Sequence, residues 1–355
     1  MIDRSVNGAR VVLACDRVQP LAGFLVVELA HYLPGPYAGR ELLRLGARVV
    51  RVEPPRGDPL RRAASGWHEA LNAGKESVVC DLKSDLVFAQ ALCERADVVL
   101  DGFRPGALER AGLQPPERVV WCSITGFGAQ GPHALRAGHD LNYLGYAGVL
   151  ADTAPGLPPV PIADLAAGAL AATCEVLAAL LDRARGGRPG RRLVISMTHG
   201  AHRLASHRLS GEPLPRLLTG GLACYRMYAT ADGRFLTVAA LEEKFFRRLC
   251  QILGLPHLAS RQYDPASQEE IGEALSRALA TRSLDEWLQL FDGEDVCVGP
   301  VWTLEEAAEE LGSPRAAPPP WASTPTPGGA SSVCDAGLRH RARAALRVQG
   351  RPAVP

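Results

Sequence analysis

The chain has 355 residues, 47% hydrophobic and 22% charged, with a formal net charge of +1. That length exceeds the roughly 250–300 residues at which a single core stops growing, so two lobes are expected. A near-neutral balance removes the electrostatic case for a nucleic-acid partner or an acidic membrane face.

Lysine is confined to Lys75, Lys83 and Lys244, and arginine carries the positive charge. The nine cysteines are odd in number and contain no Cys-x-x-Cys pair. They argue for reduced thiols in a cytoplasmic protein rather than a disulfide framework or a metal site. The N-terminus has no signal-like apolar stretch, and no apolar run approaching about 18 residues stands out, so no membrane partner is expected. Residues 1–20 read as an N-terminal extension.

In chain order, Gly23–Leu29 is a β-branched run that predicts a strand. Helical spacing over Tyr37–Gly46 ends on a glycine, a stop signal. Ala47–Glu53 is a second strand, Ser84–Ala96 a helix, Asp97–Asp101 a third strand, and Pro105–Leu113 a short helix. Arg118–Ile124 is a fourth strand. Asp164–Gly187 is a long Ala/Leu-rich helix with Asp164 as its expected N-cap, and Arg192–Met197 is a fifth strand. This alternation over residues 21–204 predicts an α/β large domain with a Rossmann-like parallel sheet. Neither the dinucleotide glycine fingerprint nor a Walker A motif is present.

The pattern changes near residue 205. Tyr225–Ala240 predicts a hairpin turning at Ala231-Asp232-Gly233, and helices are expected over 242–253, 267–281 and 283–291. These make a smaller α+β domain over 205–295. Residues 296–355 are expected to return to the large domain, with the proline-rich 313–329 stretch as an extended connection.

Three ionisable residues stand at element boundaries: His139, Asp164 and Glu242. Each has an ordinary reading. His139 fits a loop or core histidine, Asp164 a helix cap, and Glu242 a first-turn acid that complements a helix dipole. Their separations of 25 and 78 residues match no compact metal-ligand motif, so no metal is expected.

Their surroundings are more specific. The run from Leu21 to Arg62, "LNAGKESVVCDLKS", "ADVVLDGFRPGALERAGL", "SITGFGAQGP" and the segment "ADLAAGALAATCEVLAALLDRARGGRPGRRLVISM" together resemble family III CoA transferases. That group also contains the α-methylacyl-CoA racemases. The resemblance runs in order from about Leu21 to Leu304. "GHDLNYLGYAGVL" resembles the racemase version.

The resemblance implies the family III fold, an interlocked homodimer, and an acyl-CoA thioester as substrate. Coenzyme A would arrive as part of that substrate, with no cofactor tightly bound. It implies catalytic roles for Asp164, His139 and Glu242, with Glu242 approaching His139 from the partner chain. It also implies CoA contacts at Asn72, Lys75, Phe103, Arg104 and Arg110. Glu53 is followed by Pro54-Pro55, where some members carry an arginine. Phosphate contacts are therefore expected to move to Arg56, Arg61 or Arg62.

Two activities follow from this resemblance. A racemase or epimerase of 2-methyl-branched acyl-CoA would use Asp164 and His139 as two bases on opposite faces of an enolate. A CoA transferase would use Asp164 alone as a nucleophile, passing through an aspartyl-CoA thioester. The short glycine loop "LTGGLACY" favours the racemase. A catalytically silent CoA-binding member is a third expectation.

Overall fold

In the computed structural model of the protein, residues 19–211 and 216–311 are described. The large unit runs to Ala205. In order, its elements are β1 (Leu25–Leu29), α1 (Pro34–Arg44), β2 (Arg48–Glu53), α2 (Leu60–Ala63), α3 (Ser65–Asn72) and β3 (Glu76–Val79). There follow α4 (Leu86–Arg95), β4 (Val98–Asp101), α5 (Ala107–Arg110), β5 (Val120–Thr125) and α6 (Asp140–Tyr146). A π-helical stretch, Ala163–Leu170, then runs into α7 (Ala171–Ala184), followed by β6 (Arg191–Ser196) and α8 (Met197–Ala205).

The six strands form one sheet in the order β3-β2-β1-β4-β5-β6. Every neighbouring pair is parallel. The order reverses between β1 and β4, and in such sheets ligands bind outside the carboxyl ends of the strands at that point. β3 was not among the expected strands. Its exposure alternates over Glu76–Val79 at the sheet edge, so only Val78 is buried and no continuous apolar run marks it.

Helix α1 begins at Pro34, three residues before the expected start, because a proline at the first helical position loses no hydrogen bond there. It stops before Gly46, whose φ of 100° suits glycine. The continuous helix Ala163–Ala184 is long and apolar enough to cross a membrane, an exception to the expected absence of such a run. Its Ala172, Val176, Ala179 and Leu180 are instead buried in the core beside β5 and β6.

The start of this long helix lies against α8 with little between the backbones. A Cβ added at Gly200 would fall 2.8 Å from the Ala167 carbonyl oxygen and 2.9 Å from the Ala167 Cβ. Small residues Ala163, Ala167, Gly168 and Ala169 make this approach possible and are all buried.

The interior beneath the β1–β2 end of the sheet is ionic. Arg51, 2% exposed, pairs with Glu28 at 2.8 Å and Asp58 at 2.6 Å, and meets His68 Nε2 at 3.1 Å. Lys75 pairs with Glu28 at 2.8 Å and also donates to the Pro36 carbonyl and the Asn72 amide oxygen. β1, the first turn of α1 and the end of α3 are thereby tied at one point. Removing one partner strands a buried charge, which costs about 3–5 kcal/mol. Glu28→Ala is expected to lose that much in denaturant unfolding. A loss below about 1 kcal/mol, the worth of a surface pair, would contradict this account.

The second unit begins at Ser206. It contains β7 (Tyr225–Ala229), β8 (Phe235–Ala239), α9 (Glu243–Ile252), α10 (Gln268–Leu279), α11 (Leu284–Phe291), β9 (Val298–Pro300) and α12 (Leu304–Leu311). The hairpin turns at Gly233, with φ 75°. β9 pairs antiparallel with β8 in a three-stranded sheet. The expected boundary at 295 is therefore wrong: residues 296–311 complete the small sheet and its flank rather than returning to the large domain. The expected extension, save its last two residues, and the 313–329 connection lie outside the described residues.

Candidate active site

His139 is the N-cap of α6, exposed at the head of the helix. Asp140 opens the helix and is turned to a second task. Its Oδ1 accepts the backbone N–H of Asp164 at 2.9 Å. The expected cap at Asp164 is thus corrected. Ile162 occupies the cap position, Asp164 lies within the first turn, and its side chain makes no capping bond. Asp140 satisfies that first-turn amide instead, which leaves the Asp164 carboxyl uncommitted. His139 and Asp164 are joined through this one hydrogen bond between two helix starts.

The Asp164 carboxyl is pushed up to about 7, first by burial and second by the nearby Asp140 carboxylate. Both effects disfavour its charged form. Asp140→Asn keeps an acceptor for the Asp164 amide and removes the like charge. The pH-rate limb set by Asp164 is then expected to move to lower pH, while staying above an ordinary aspartate because burial remains. A limb left in place would show that Asp140 does not tune Asp164.

Two aromatic residues absent from the expected set also belong here. The Tyr32 ring meets the His139 ring edge-on, with centroids 6.0 Å apart. Tyr32 sits in the loop after β1 at φ 61°, a left-handed conformation uncommon outside glycine. Tyr143, buried in α6, has its phenol pushed up to about 12 by burial and then by Asp164, with Arg104 acting in the opposite direction. Arg104 therefore faces the same site from the loop after β4. Tyr143 carries a sequence signal, since it follows His139 by four positions, one helical turn. Tyr32 carries none.

The CoA-contact residues are placed unequally. Arg104 is exposed, and Phe103 is partly buried against the core with its N–H held by Asp101 at 3.0 Å. Arg110 turns back toward the Pro105 carbonyl of its own loop. Lys75 and Asn72 have partners within the fold. The Lys75 side chain is 1% exposed with all three donors engaged, and Asn72 spends its amide on Lys75 and the His68 carbonyl. Lys75 braces the fold with every donor engaged, whereas the Asn72 amide nitrogen spends one of its two N–H donors on His68. Arg61 is half-exposed but bound to Glu53 at 2.8 Å. Glu242 stands in the small unit, exposed, as the N-cap of α9 without a side-chain capping bond. Among the described residues no cluster of metal-ligating side chains occurs.

The model of CoA-transferase family III matches residues 21–316. Mouse alpha-methylacyl-CoA racemase is 36% identical over 336 residues, covering 84% of this chain and 86% of that protein. The human racemase is 37% identical over 310 residues, covering 81% and 78%. A succinate–glutarate CoA-transferase from Agrobacterium fabrum is 30% identical, covering 82% of each chain. A solved CAIB/BAIF family protein from Brucella suis superposes with a TM-score of 0.69 at 27% identity, covering 82% and 86%. With the family model spanning most of its length and relatives on both the racemase and transferase sides, the chain belongs to CoA-transferase family III.

Proposed function

We propose that this protein is a racemase or epimerase of 2-methyl-branched acyl-CoA thioesters. One observation carries the reading: an imidazole and a buried carboxyl, the carboxyl pushed up to about 7, stand at two helix starts joined through Asp140. Inverting a carbon next to a thioester needs one base on each face of a planar enolate, with each group acting as acid or base in turn. A carboxyl titrating near 7 suits both roles. First-turn amides favour charge developing on the thioester oxygen. The racemase relatives support the same choice.

Coenzyme A enters as part of the substrate, with Phe103 and Arg104 at the reversal point of the sheet as its proposed contacts. Glu242 is proposed to complete the site from a second copy of the chain, by hydrogen bonding to His139. The transferase relative keeps a second reading in view, in which Asp164 attacks the thioester carbonyl. That route needs an ionised nucleophile, and the raised Asp164 works against it near neutral pH.

Incubating one epimer of a 2-methylacyl-CoA with the enzyme in D2O, with no free acid, separates the two. Deuterium at the α-carbon with loss of chirality is expected. No exchange, together with CoA transfer once a free acid is added, would replace the racemase with a transferase.

A further inference from the structure

The residues after His139 in "GHDLNY" act on the peptide before it. The Gly138 carbonyl and the His139 N–H are the two polar ends of one peptide unit. Asn142 Oδ1 accepts that N–H at 3.1 Å, and the Tyr143 hydroxyl donates to that carbonyl. Consecutive side chains of α6 thus hold both ends of a single peptide plane. The helix adds its own bonds, with the amides of Asn142 and Tyr143 donating to the His139 carbonyl.

The brace is rigid because Tyr143 has no room to move. A Cβ at Gly126 would lie 2.4 Å from its ring, and one at Gly138 2.8 Å from it. Phe127 packs on it edge-on at 5.2 Å. Gly126 is fixed in turn, since its carbonyl accepts both the amide and the hydroxyl of Thr198 at the start of α8. A chain of contacts therefore runs from α8 through the end of β5 and the phenol ring to the peptide that carries His139. The imidazole itself is exposed, and among the described residues its ring contact is with the edge of Tyr32.

We infer that Asn142 and Tyr143 are positioning residues that clamp the Gly138–His139 peptide and so set the reach of the His139 imidazole toward the substrate α-carbon. This rests on the racemase reading for its catalytic consequence and on geometry alone for the clamp. A misplacement of about 1 Å can cost about 10²-fold in rate. The loss falls on one face only, because Asp164 hangs from a different helix.

Tyr143→Phe keeps the ring that fills the space between the glycines and removes the hydroxyl. Asn142→Ala removes the acceptor for the His139 amide. Hydrogen exchange at the His139 amide, read by NMR on enzyme labelled with 15N-histidine, is expected to quicken at least about tenfold in Asn142→Ala, as for an amide released from protection. In D2O, α-proton loss from the epimer deprotonated by His139 is expected to slow about 10–100-fold in both variants. Loss from the other epimer should change less than about threefold, with KM held, because ground-state binding is untouched. Unchanged His139 amide exchange overturns the clamp. Equal slowing of both epimers overturns the positioning role, since general structural damage has no preferred face. Wild-type enzyme that exchanges neither epimer defeats the racemase reading, and the amide measurement still decides the clamp.

Discussion

Asp164→Asn is expected to lower turnover by about 10²–10⁴-fold, the range of a lost general acid–base group, and at the same time to stabilise the protein above neutral pH. The activity loss follows under either chemistry, because an amide neither exchanges a proton usefully nor attacks a thioester. The stability gain follows from the raised carboxyl. In the unfolded chain an aspartate titrates near 3.9, whereas in the folded protein burial and then Asp140 hold Asp164 at about 7.

Between those values the folded state binds more protons than the unfolded one. Stability therefore falls as pH rises through this window, by on the order of 2–4 kcal/mol in total. It is fully present below about pH 4 and fully lost above pH 7. An asparagine does not titrate, so the variant is spared that loss. Melting curves at pH 5 and pH 8 should show the stability difference, variant minus wild type, growing with pH. A difference that does not change with pH would show that the Asp164 carboxyl is not raised, and a variant retaining activity within about tenfold would show that it is not central to turnover.

His139→Ala is expected to separate the two chemistries as Asp164 variants do not. With the imidazole gone, one face of the enolate has no proton donor or acceptor, and interconversion of epimers should fall by about 10²–10⁴-fold. Proton loss to Asp164 on the other face should persist. Folding should be little affected, within about 0.5 kcal/mol as for an exposed side chain, because the imidazole is exposed and the bonds from Asn142 and Tyr143 go to backbone groups. Epimer interconversion at the wild-type rate would refute the two-base mechanism. CoA transfer surviving in the same variant would assign the activity to Asp164 alone.

The parallel sheet was legible because β1, β2, β4 and β5 each carry adjacent buried apolar residues and are separated by segments of helical spacing. β3 was not, because an edge strand with one covered face leaves a single buried residue. His139 and Asp164 were singled out through the motifs around them. Their connection was not, since a side chain accepting an amide 24 positions away leaves no periodic trace. Lys75 shows what a sequence alone conceals. A lone lysine in a glycine-punctuated segment reads as a ligand contact, and only burial against Glu28 reveals a bracing role. The small-domain boundary failed because β9 is three residues long and pairs with a strand some sixty positions earlier.

The contact between Gly200 and Ala167 bears on how this protein can diversify. Asp164 is borne by a helix whose neighbour allows no added carbon at that crossing, so the carboxyl inherits its coordinates from the interior. Sequence drift cannot move it by small steps. The loop residues Tyr32 and Arg104 stand outside that crossing, and both are exposed. Changes of acyl preference are therefore to be sought in those loops, with the position of the Asp164 carboxyl carried unchanged from one substrate to the next.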